Sequence, residues 1–498
     1  MIPLLFESLR AAGAASDIVL QTADGDVSRA ALLQRAEDLA FELQRMNISR
    51  VALHADNGLA WILSELACQH AGLTVVPLPL FFSDEQLRHA LASSGVDAVI
   101  SDCDLGMSVP AAEPVAVPSE LLTGTARIYR LQPDQSAKLP PGTQKITFTS
   151  GSTGTPKGVC LSAEQQFAVA NSLASVIDID KPTHLCVLPL STLLENLAGL
   201  YAPMLAGGRI IAAPLSDIGL SGSSGLELGK LLACIERYQP SSLILVPEIL
   251  NALTLAAAAG WQPPAALQFV AVGGGKVSPD LLRDAREAGI PAYEGYGLSE
   301  CSSVVSLNVP GADQLGAVGR PLPHVKVTTA NGEIVVSGST FLGYANQPDS
   351  WGADCVRTGD LGHIDQDGFI HVDGRLKNQL ISSYGRNLSP EWVESQLLGG
   401  PMLQQAIVFG DDRPYCVALV YPHDSASSDQ DIAAWINKVN HELPDYARVS
   451  RWYRLPKALS SRDGLLTDNA RPKRANIEQT YELAISDLYE MHQKVSNL

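Results

Sequence analysis

The sequence lacks the patterns typical of proteins that cross membranes, bind nucleic acid or carry disulfides. No stretch approaches the roughly 18 uninterrupted apolar residues from which a membrane-spanning helix is predicted. Acidic residues outnumber basic ones by 53 to 35, and the net charge of −18 argues against general binding to nucleic acid or anionic membranes. The 8 cysteines form no C-x-x-C pair and no zinc-binding spacing, which suits reduced thiols in a cytoplasm.

Targeting and low-complexity segments are not predicted either. The first six residues are apolar, but they lack a basic start and are soon followed by Glu7 and Arg10, so no signal peptide is expected. We find no internal repeat. Cys68 and Cys186 lie in apolar runs and are predicted to fill the core.

Length and pattern predict an α/β protein of at least two domains. A chain of 498 residues with 46% hydrophobic residues is longer than a single domain with one hydrophobic core usually is. Helical and strand patterns alternate through the first three-quarters, which favours largely parallel sheets. The clearest of these patterns are a helix over 29–45, strands over 51–54, 74–78, 243–247 and 269–272, and a hairpin around Asn331-Gly332.

The best domain boundary lies at 373–377. We expect a large domain over 1–374 and a small α+β domain over 375–498. The small domain should open with a helix, because Ser389 can cap it and Pro390 suits the first helical position.

The most informative segment is 147–158, which reads T-F-T-S-G-S-T-G-T-P-K-G. Its backbone N–H groups, its hydroxyls and Lys157 are the parts needed to surround a phosphate chain. A Gly/Ser/Thr linker is the alternative, but a linker would rarely hold Pro156-Lys157 between glycines. The segment is not a Walker A loop, in which Ser or Thr follows the lysine directly.

This segment resembles the phosphate-binding loop of the acyl-adenylate-forming superfamily, which includes acyl-CoA synthetases, adenylation domains and luciferases. Three further motifs follow in the family's order: E-G-Y-G-L-S-E at 294–300, R-T-G-D-L at 357–361, and D-G-R-L-K-N at 373–378. The resemblance covers nearly the whole chain. It implies a large domain for ATP and acid, and a small domain that swings about Lys377.

The resemblance also implies roles for individual residues. Glu300 would bind Mg²⁺, Ser299 would reach the α-phosphate and Tyr296 would lie along adenine. Asp360 would accept hydrogen bonds from the ribose, with Arg375 near the ribose or phosphate. The full set expected to bind ATP is Thr149, Ser150, Gly151, Ser152, Thr153, Gly154, Lys157, Gly274, Tyr296, Gly297, Asp360 and Arg375.

The chain departs from the family at its C-terminal loop. The family usually has a lysine there that bridges the acid and the α-phosphate. Counting from Thr467, this position falls on Arg471, and the nearby lysine is Lys473. Arginine keeps the charge but changes the geometry. Arg471 or Lys473 would therefore serve as the catalytic cation, or adenylation would be slow.

The acid and its acceptor are less constrained. The segment 188–195 resembles the fatty-acyl branch, with Thr192 where histidine is common, and places Thr192 and Glu195 in the acid pocket. We therefore expect an aliphatic or otherwise apolar acid rather than an amino acid, activated with ATP and Mg²⁺ and transferred to coenzyme A or to the phosphopantetheine of a carrier protein acting in trans. An amide-forming ligase and a nucleotide-binding homologue that has lost catalysis are the alternatives.

Overall fold

Two large β-sheets and the helices packed on them form the first three-quarters of the chain. A computed structural model describes residues 4–103, 105, 113–115, 122, 124–149, 156–222, 225–381, 383, 386–467 and 471–490. In chain order its strands are β1 (Ile18–Thr22), β2 (Gly25–Ser28), β3 (Arg50–His54), β4 (Thr74–Pro77), β5 (Ala98–Ser101), β6 (Glu113–Val115), β7 (Arg127–Arg130), β8 (Lys145–Thr149), β9 (Lys157–Leu161), β10 (Thr183–Leu185), β11 (Arg209–Ala212), β12 (Leu220–Ser221), β13 (Gly225–Leu226), β14 (Ser242–Leu245), β15 (Phe269–Val272), β16 (Ala292–Tyr296), β17 (Ser306–Leu307), β18 (Arg320–Pro321), β19 (Val325–Ala330), β20 (Glu333–Gly338), β21 (Gly343–Tyr344), β22 (Cys355–Ile364), β23 (Ile370–Arg375), β24 (Leu380–Ile381), β25 (Asn387–Leu388), β26 (Leu403–Phe409), β27 (Cys416–Pro422) and β28 (Val449–Arg454).

The helices alternate with these strands. They are α1 (Leu4–Ala11), α2 (Arg29–Arg45), α3 (Leu59–Ala71), α4 (Asp84–Ser94), α5 (Ala163–Ile177), α6 (Ala202–Leu205), α7 (Leu215–Ile218), α8 (Leu228–Tyr238), α9 (Pro247–Ala258), α10 (Pro279–Glu287), α11 (Pro390–Leu398), α12 (Asp429–Glu442), α13 (Arg474–Thr480) and α14 (Glu482–Glu490). A π-helical segment, Glu195–Tyr201, leads directly into α6, and short 3₁₀ turns occur at Ser299–Cys301, Pro348–Ser350, Leu376–Asn378 and Asp445–Ala447.

The sheets have parallel centres and antiparallel edges. One sheet has the order β18-β17-β16-β15-β14-β10-β11-β1-β2, and its strands from β16 to β1 pair in parallel. The other has the order β21-β9-β8-β4-β3-β5-β7-β6, and β8, β4, β3 and β5 are its parallel members. The predicted α/β fold class is confirmed, because parallel strands joined through helices build both sheets.

Two smaller sheets complete the fold. β19-β20-β22-β23 form an antiparallel sheet, and its first hairpin turns at Asn331 and Gly332, which both adopt positive φ, as the Asn-Gly signal predicts. In the C-terminal part, β26-β27-β28 form a sheet covered by helices on both faces. Ala406 and Val408 of β26 pack towards α11 and α12, while Ile407 and Phe409 pack towards α13 and α14.

Local sequence signals explain most of these elements. The predicted helix over 29–45 is confirmed as α2, and the Ser28 side chain caps it by accepting a hydrogen bond from the Ala31 N–H. α11 begins at Pro390 as predicted, but the Ser389 side chain makes no capping bond. Instead the Ser389 hydroxyl donates to Glu391. Among the described helices none is long and apolar enough to cross a membrane.

Candidate active site

The carboxyl ends of parallel strands meet at one cavity. β14, β15 and β16 are parallel neighbours, so the segments that follow them, beginning at Val246, Gly273 and Gly297, lie at the same edge of the sheet. Ligands of α/β sheets bind at such edges. A cavity of about 2220 Å³ opens there and extends between the two parts of the chain.

The cavity brings together the predicted site residues that fall within the described part of the chain, except Glu195. Its lining includes Thr149, Lys157, Thr192, Gly274, Tyr296, Gly297, Ser299, Glu300, Asp360, Arg375, Lys377, Arg471 and Lys473. The remaining members of the predicted phosphate loop, Ser150, Gly151, Ser152, Thr153 and Gly154, lie outside the described residues.

The predicted phosphate loop joins the ends of a β-hairpin. Thr149 of β8 pairs with Lys157 of β9, so both flanks of the loop are fixed by the sheet. The Lys157 ammonium lies 5.0 Å from the centroid of the Tyr344 ring. This cation–π contact holds the charge at the cavity wall without neutralising it.

The same tyrosine ring carries a hydroxyl that holds the predicted metal ligand. Tyr344 Oη donates a hydrogen bond of 2.8 Å to Glu300 Oε1. Glu300 lies in the short turn that follows Gly297. Position 297 has no room for a side chain, because a Cβ there would approach the Ser303 carbonyl oxygen to 1.7 Å. Lys157, Tyr344 and Glu300 therefore form one contiguous polar wall of the cavity.

A second polar group joins two motifs that are far apart in the sequence. Tyr296 Oη donates to Asp360 Oδ2 over 2.6 Å, and Arg375 Nε lies 2.8 Å from Asp360 Oδ1. Asp360 and Arg375 face each other because they are register partners on β22 and β23. Burial raises the pKa of the Asp360 carboxyl, while the Arg375 guanidinium opposes that shift.

A buried carboxyl and a half-buried ammonium lie next to the glycine-rich turn. Glu294 is 5% exposed, and burial raises its pKa to about 8, with Lys276 acting in the opposite direction. Lys276 Nζ donates to the Val372 carbonyl oxygen over 2.9 Å. The lysine thus ties the turn after β15 to β23.

Arg471 extends from the C-terminal part into the cavity. Its Nη2 donates a 2.8 Å hydrogen bond to the carbonyl oxygen of Gly274. Two hydrogen bonds join Thr467 to Arg471. The Arg471 N–H donates to Thr467 Oγ1, and the Arg471 carbonyl oxygen accepts from the Thr467 N–H. Desolvation in the cavity and the nearby Arg375 lower the pKa of Arg471, and Asp360, Glu248 and Glu300 act in the opposite direction.

Lys473 has a different setting. It occupies the position before α13, and its backbone N–H donates to the Leu465 carbonyl. Its side chain lines the cavity, and no hydrogen bond from it occurs within the described residues. The next residue, Arg474, forms an ion pair with Glu394, with 2.6 Å between Arg474 Nη2 and Glu394 Oε2. This pair lies within the C-terminal part of the chain.

The predicted hinge residue lies in the cleft between the two parts of the chain. Lys377 is in the 3₁₀ turn that follows β23. Desolvation lowers the pKa of its ammonium, and the positive charges of Arg375 and Arg471 add to this effect. The hinge itself stays a prediction.

Part of the cavity lining is mostly apolar, and we refer to this part as the tunnel. It includes Ser242, Leu243 and Ile244 of β14 and Val246 just after the strand, a stretch of about 13 Å at roughly 3.3 Å per residue. The lining also includes Ala198, Ala202 and Ala206, which are four residues apart in the π-helical segment, in α6 and directly after α6. Thr192 lines the same cavity and its hydroxyl donates to the Pro189 carbonyl.

Glu195 is buried beside the tunnel and is not among the lining residues. Its Oε1 lies 3.1 Å from His184 Nε2, and His184 does line the cavity. Burial raises the pKa of the Glu195 carboxyl, with His184 opposing the shift. The placement of Glu195 therefore gives no support to the prediction that it contacts the acid. His184, rather than Glu195, lines the cavity.

Sequence reasoning missed Tyr344 and His184 as site residues. Tyr344 follows a glycine in a short F-L-G-Y-A-N stretch, a weak signal without the contact to Glu300. His184 stands alone between Thr183 and Leu185 in an apolar strand, which by itself is more typical of a core position.

Known proteins resemble this chain in sequence and in fold. The sequence profile described as AMP-binding enzyme matches residues 9–344, and that of the AMP-binding enzyme C-terminal domain matches residues 377–493. Feruloyl-CoA synthase from Amycolatopsis is 28% identical, covering 88% of this chain and 90% of that protein. The long-chain-fatty-acid–CoA ligase FadD15 of Mycobacterium tuberculosis is 25% identical, covering 88% of each chain. The structure of the anthranilate CoA ligase AuaEII with anthranoyl-AMP superposes with a TM-score of 0.79 at 16% identity, covering 97% of this chain and 98% of that one.

Proposed function

The chain belongs to the AMP-binding enzyme family, and we propose that it joins a carboxylic acid with an extended aliphatic tail to coenzyme A through an acyl-adenylate. The predicted superfamily and the predicted AMP-forming acid–thiol ligase are confirmed at the level of the family. The chain length and polarity of the acid, and the choice of thiol, belong to the proposal.

The polar end of the cavity suits adenylation. The carboxylate of the acid attacks the α-phosphate of ATP, and pyrophosphate leaves. We assign Lys157 to the β- and γ-phosphates, Asp360 and Arg375 to the ribose, and Arg471 to the charge that develops between acid and α-phosphate. Positioning of two anions and neutralisation of their charge are the main contributions that a protein makes to such a transfer.

Glu300 is the residue we assign to Mg²⁺. Carboxylate oxygen is the ligand that this ion prefers, and the Tyr344 hydroxyl fixes one Glu300 oxygen at the cavity wall. The donor set therefore fits the ion. When bound there together with ATP, Mg²⁺ would supply charge neutralisation at the phosphates.

The single observation that carries the aliphatic assignment is the tunnel. Its lining follows about 13 Å of chain along β14 and includes three alanines with little side-chain bulk, which suits an extended acyl chain. Complete burial of each methylene contributes about 0.8 kcal/mol. The relatives named above include ligases for both aromatic and long-chain acids, and the mostly apolar lining of the tunnel with its three alanines favours the second class.

We propose coenzyme A as the acceptor because the curated relatives that cover most of the chain are named as CoA synthases or ligases. A carrier-protein phosphopantetheine and an amine are the remaining acceptors to test. We also propose a cytoplasmic location, which suits the eight cysteines, all of them free thiols.

Pyrophosphate exchange tests the first half-reaction. Labelled pyrophosphate should enter ATP when an acid such as dodecanoate is present, without any thiol, and butyrate or benzoate should support at least tenfold slower exchange. Failure of every acid to support exchange would refute adenylation. Product mass with coenzyme A, a carrier protein or an amine then identifies the acceptor.

The tunnel assignment has its own test. Ala202→Leu places a larger side chain in the lining of the tunnel and should slow exchange with dodecanoate about tenfold, while butyrate is unaffected. Ala259→Leu, at the exposed end of α9, is the matched control. Equal effects on both acids would contradict a tunnel that accommodates the acyl chain.

A further inference from the structure

Three buried side chains with metal-binding atoms converge beside the tunnel. One nitrogen of His184, the sulfur of Cys186 and one carboxylate oxygen of Glu195 all lie within 4.8 Å of one another. The three residues are 1%, 0% and 0% exposed. Glu195 ends the segment 188–195 that resembles the fatty-acyl branch, whereas His184 and Cys186 belong to none of the sequence motifs discussed above.

Local structure brings these atoms together. His184 lies in β10 and Cys186 follows two residues later, so both side chains project from the same side of the chain. Glu195 opens the π-helical segment, a type of turn that is frequent at functional sites. Gly199 lies in that segment, and a Cβ there would come within 2.6 Å of Glu195 Oε1 and 2.7 Å of His184 Nε2. The glycine thus provides the space that the cluster occupies.

One carboxylate oxygen of the cluster is available to bind a cation. Glu195 Oε1 is 3.1 Å from His184 Nε2, whereas Glu195 Oε2 is buried and makes no hydrogen bond of ordinary length in the described part of the chain, although the Cys186 thiol and the Leu188 N–H lie near enough to the carboxyl to lower its pKa. A carboxylate oxygen without a partner in a buried site is costly. A cation between these atoms would satisfy it.

The other nitrogen of the imidazole is already occupied. Ser242 Oγ lies 3.0 Å from His184 Nδ1. A hydrogen bond at one ring nitrogen orients the imidazole and leaves Nε2 as the metal-binding atom, which is the usual arrangement around metal-binding histidines.

We propose that His184, Cys186 and Glu195 bind one zinc ion. A thiolate, a carboxylate and a neutral imidazole together carry two negative charges, which a divalent ion balances inside the apolar core. Mixed nitrogen, sulfur and oxygen ligands favour zinc over magnesium or calcium. On binding, Cys186 transfers its thiol proton to solvent. His184 borders the tunnel, so a water molecule in the tunnel can supply the fourth ligand.

Metal titration of the full-length protein tests this site. After treatment with a chelator and its removal, the protein should bind one zinc per chain and one cobalt per chain. Cobalt should show a thiolate charge-transfer absorption in the near ultraviolet. Cys186→Ser should abolish that absorption and weaken zinc binding at least tenfold, whereas Cys160→Ser, a buried cysteine in β9, should change neither.

A second variant leaves all three ligands in place. Ser242→Ala should weaken zinc binding about tenfold and keep the cobalt absorption, because only the support of the imidazole is lost. Zinc should also raise the unfolding temperature of the unmodified protein, and less so that of Ser242→Ala. If Cys186→Ser does not fold, zinc binding by Ser242→Ala and Glu195→Gln tests the site instead. Absence of one-to-one binding, or binding unchanged in these variants, would overturn the site.

Discussion

The hydroxyl of Tyr296 donates a 2.6 Å hydrogen bond to Oδ2 of Asp360, although 64 residues separate the two. This bond links the end of β16 in the large sheet to β22 in the small antiparallel sheet. Arg375 holds the other oxygen of the same carboxylate. Three predicted nucleotide-binding residues from three motifs thus form one hydrogen-bonded unit, and a change in one should affect the placement of the others.

Asp360→Asn tests this unit. The amide loses the charge that pairs with Arg375 and one of the acceptors proposed for the ribose, and hydrogen bonds to charged groups contribute about 1.5–3 kcal/mol. We therefore expect the KM for ATP in pyrophosphate exchange to rise roughly tenfold to a hundredfold. Asp365→Asn, which removes the pair with His371 at the tip of the same hairpin, should leave KM unchanged. Equal KM values for both variants would remove Asp360 from nucleotide binding.

Glu300→Gln tests the proposed magnesium ligand. The variant keeps the hydrogen bond from Tyr344 and loses one charge, so folding should be intact while exchange falls on the order of a hundredfold. Rates measured against Mg²⁺ concentration should show a higher requirement for the ion. Glu287→Gln, at the exposed end of α10, is the control. Near-normal exchange by Glu300→Gln at limiting Mg²⁺ would exclude the metal role.

The sequence predicts local structure better than contacts between distant segments. α2 is delimited by Ser28 and by its apolar spacing, and the β19–β20 turn follows from Asn331-Gly332, so short-range signals suffice for both. The contact of Tyr344 with Glu300 joins residues 44 apart and depends on how β21 pairs with β9. Ser389 shows the limit even of local signals, because Glu391 competes for its hydroxyl.

The buried carboxyl of Glu294 should make stability depend on pH. Its pKa rises from an ordinary value of 4.5 to about 8 because burial disfavours the charged form. Between these values the folded protein retains a proton that the unfolded chain has lost, so the free energy of unfolding falls as pH rises. Glu294→Gln cannot ionise and should gain stability relative to the unmodified protein across this range, by at most a few kcal/mol.

Chemical denaturation at several pH values from 4.5 to 8 measures this difference. Glu287→Gln should show no such trend, since its side chain is exposed. The free energy of unfolding of Glu294→Gln should exceed that of the unmodified protein by an amount that grows as pH rises. A difference that stays constant or shrinks as pH rises would contradict a raised pKa of Glu294 in the folded protein.

Lys377→Pro should separate the two half-reactions. Proline fixes φ and removes the backbone N–H, which restricts rotation at the proposed hinge. Arg471 contacts Gly274 in this structure, so the arrangement present here is the one we assign to adenylation. We expect pyrophosphate exchange to be retained better than transfer to coenzyme A from a supplied acyl-adenylate. Equal slowing of both steps would argue against a rotation at Lys377.

The choice between Arg471 and Lys473 is the sharpest test of the catalytic loop. Both side chains line the cavity, but the Arg471 guanidinium donates to the Gly274 carbonyl oxygen, whereas the Lys473 side chain makes no hydrogen bond within the described residues. Arg471→Ala should therefore reduce exchange on the order of a hundredfold, since it removes the positive charge that we assign to the negative charge developing in the reaction. Lys473→Ala and Arg462→Ala, an exposed control, should reduce it little.

Arg471→Lys refines the assignment. Lysine restores a cation but not the planar fork of arginine, so retained exchange would show that charge alone is required. Transfer from a supplied acyl-adenylate should survive in all of these variants, because Arg471 is assigned to the first step only. Loss of exchange in Lys473→Ala with normal exchange in Arg471→Ala would reverse the assignment. Small and equal effects would mean that the adenylate forms without a cation from this loop.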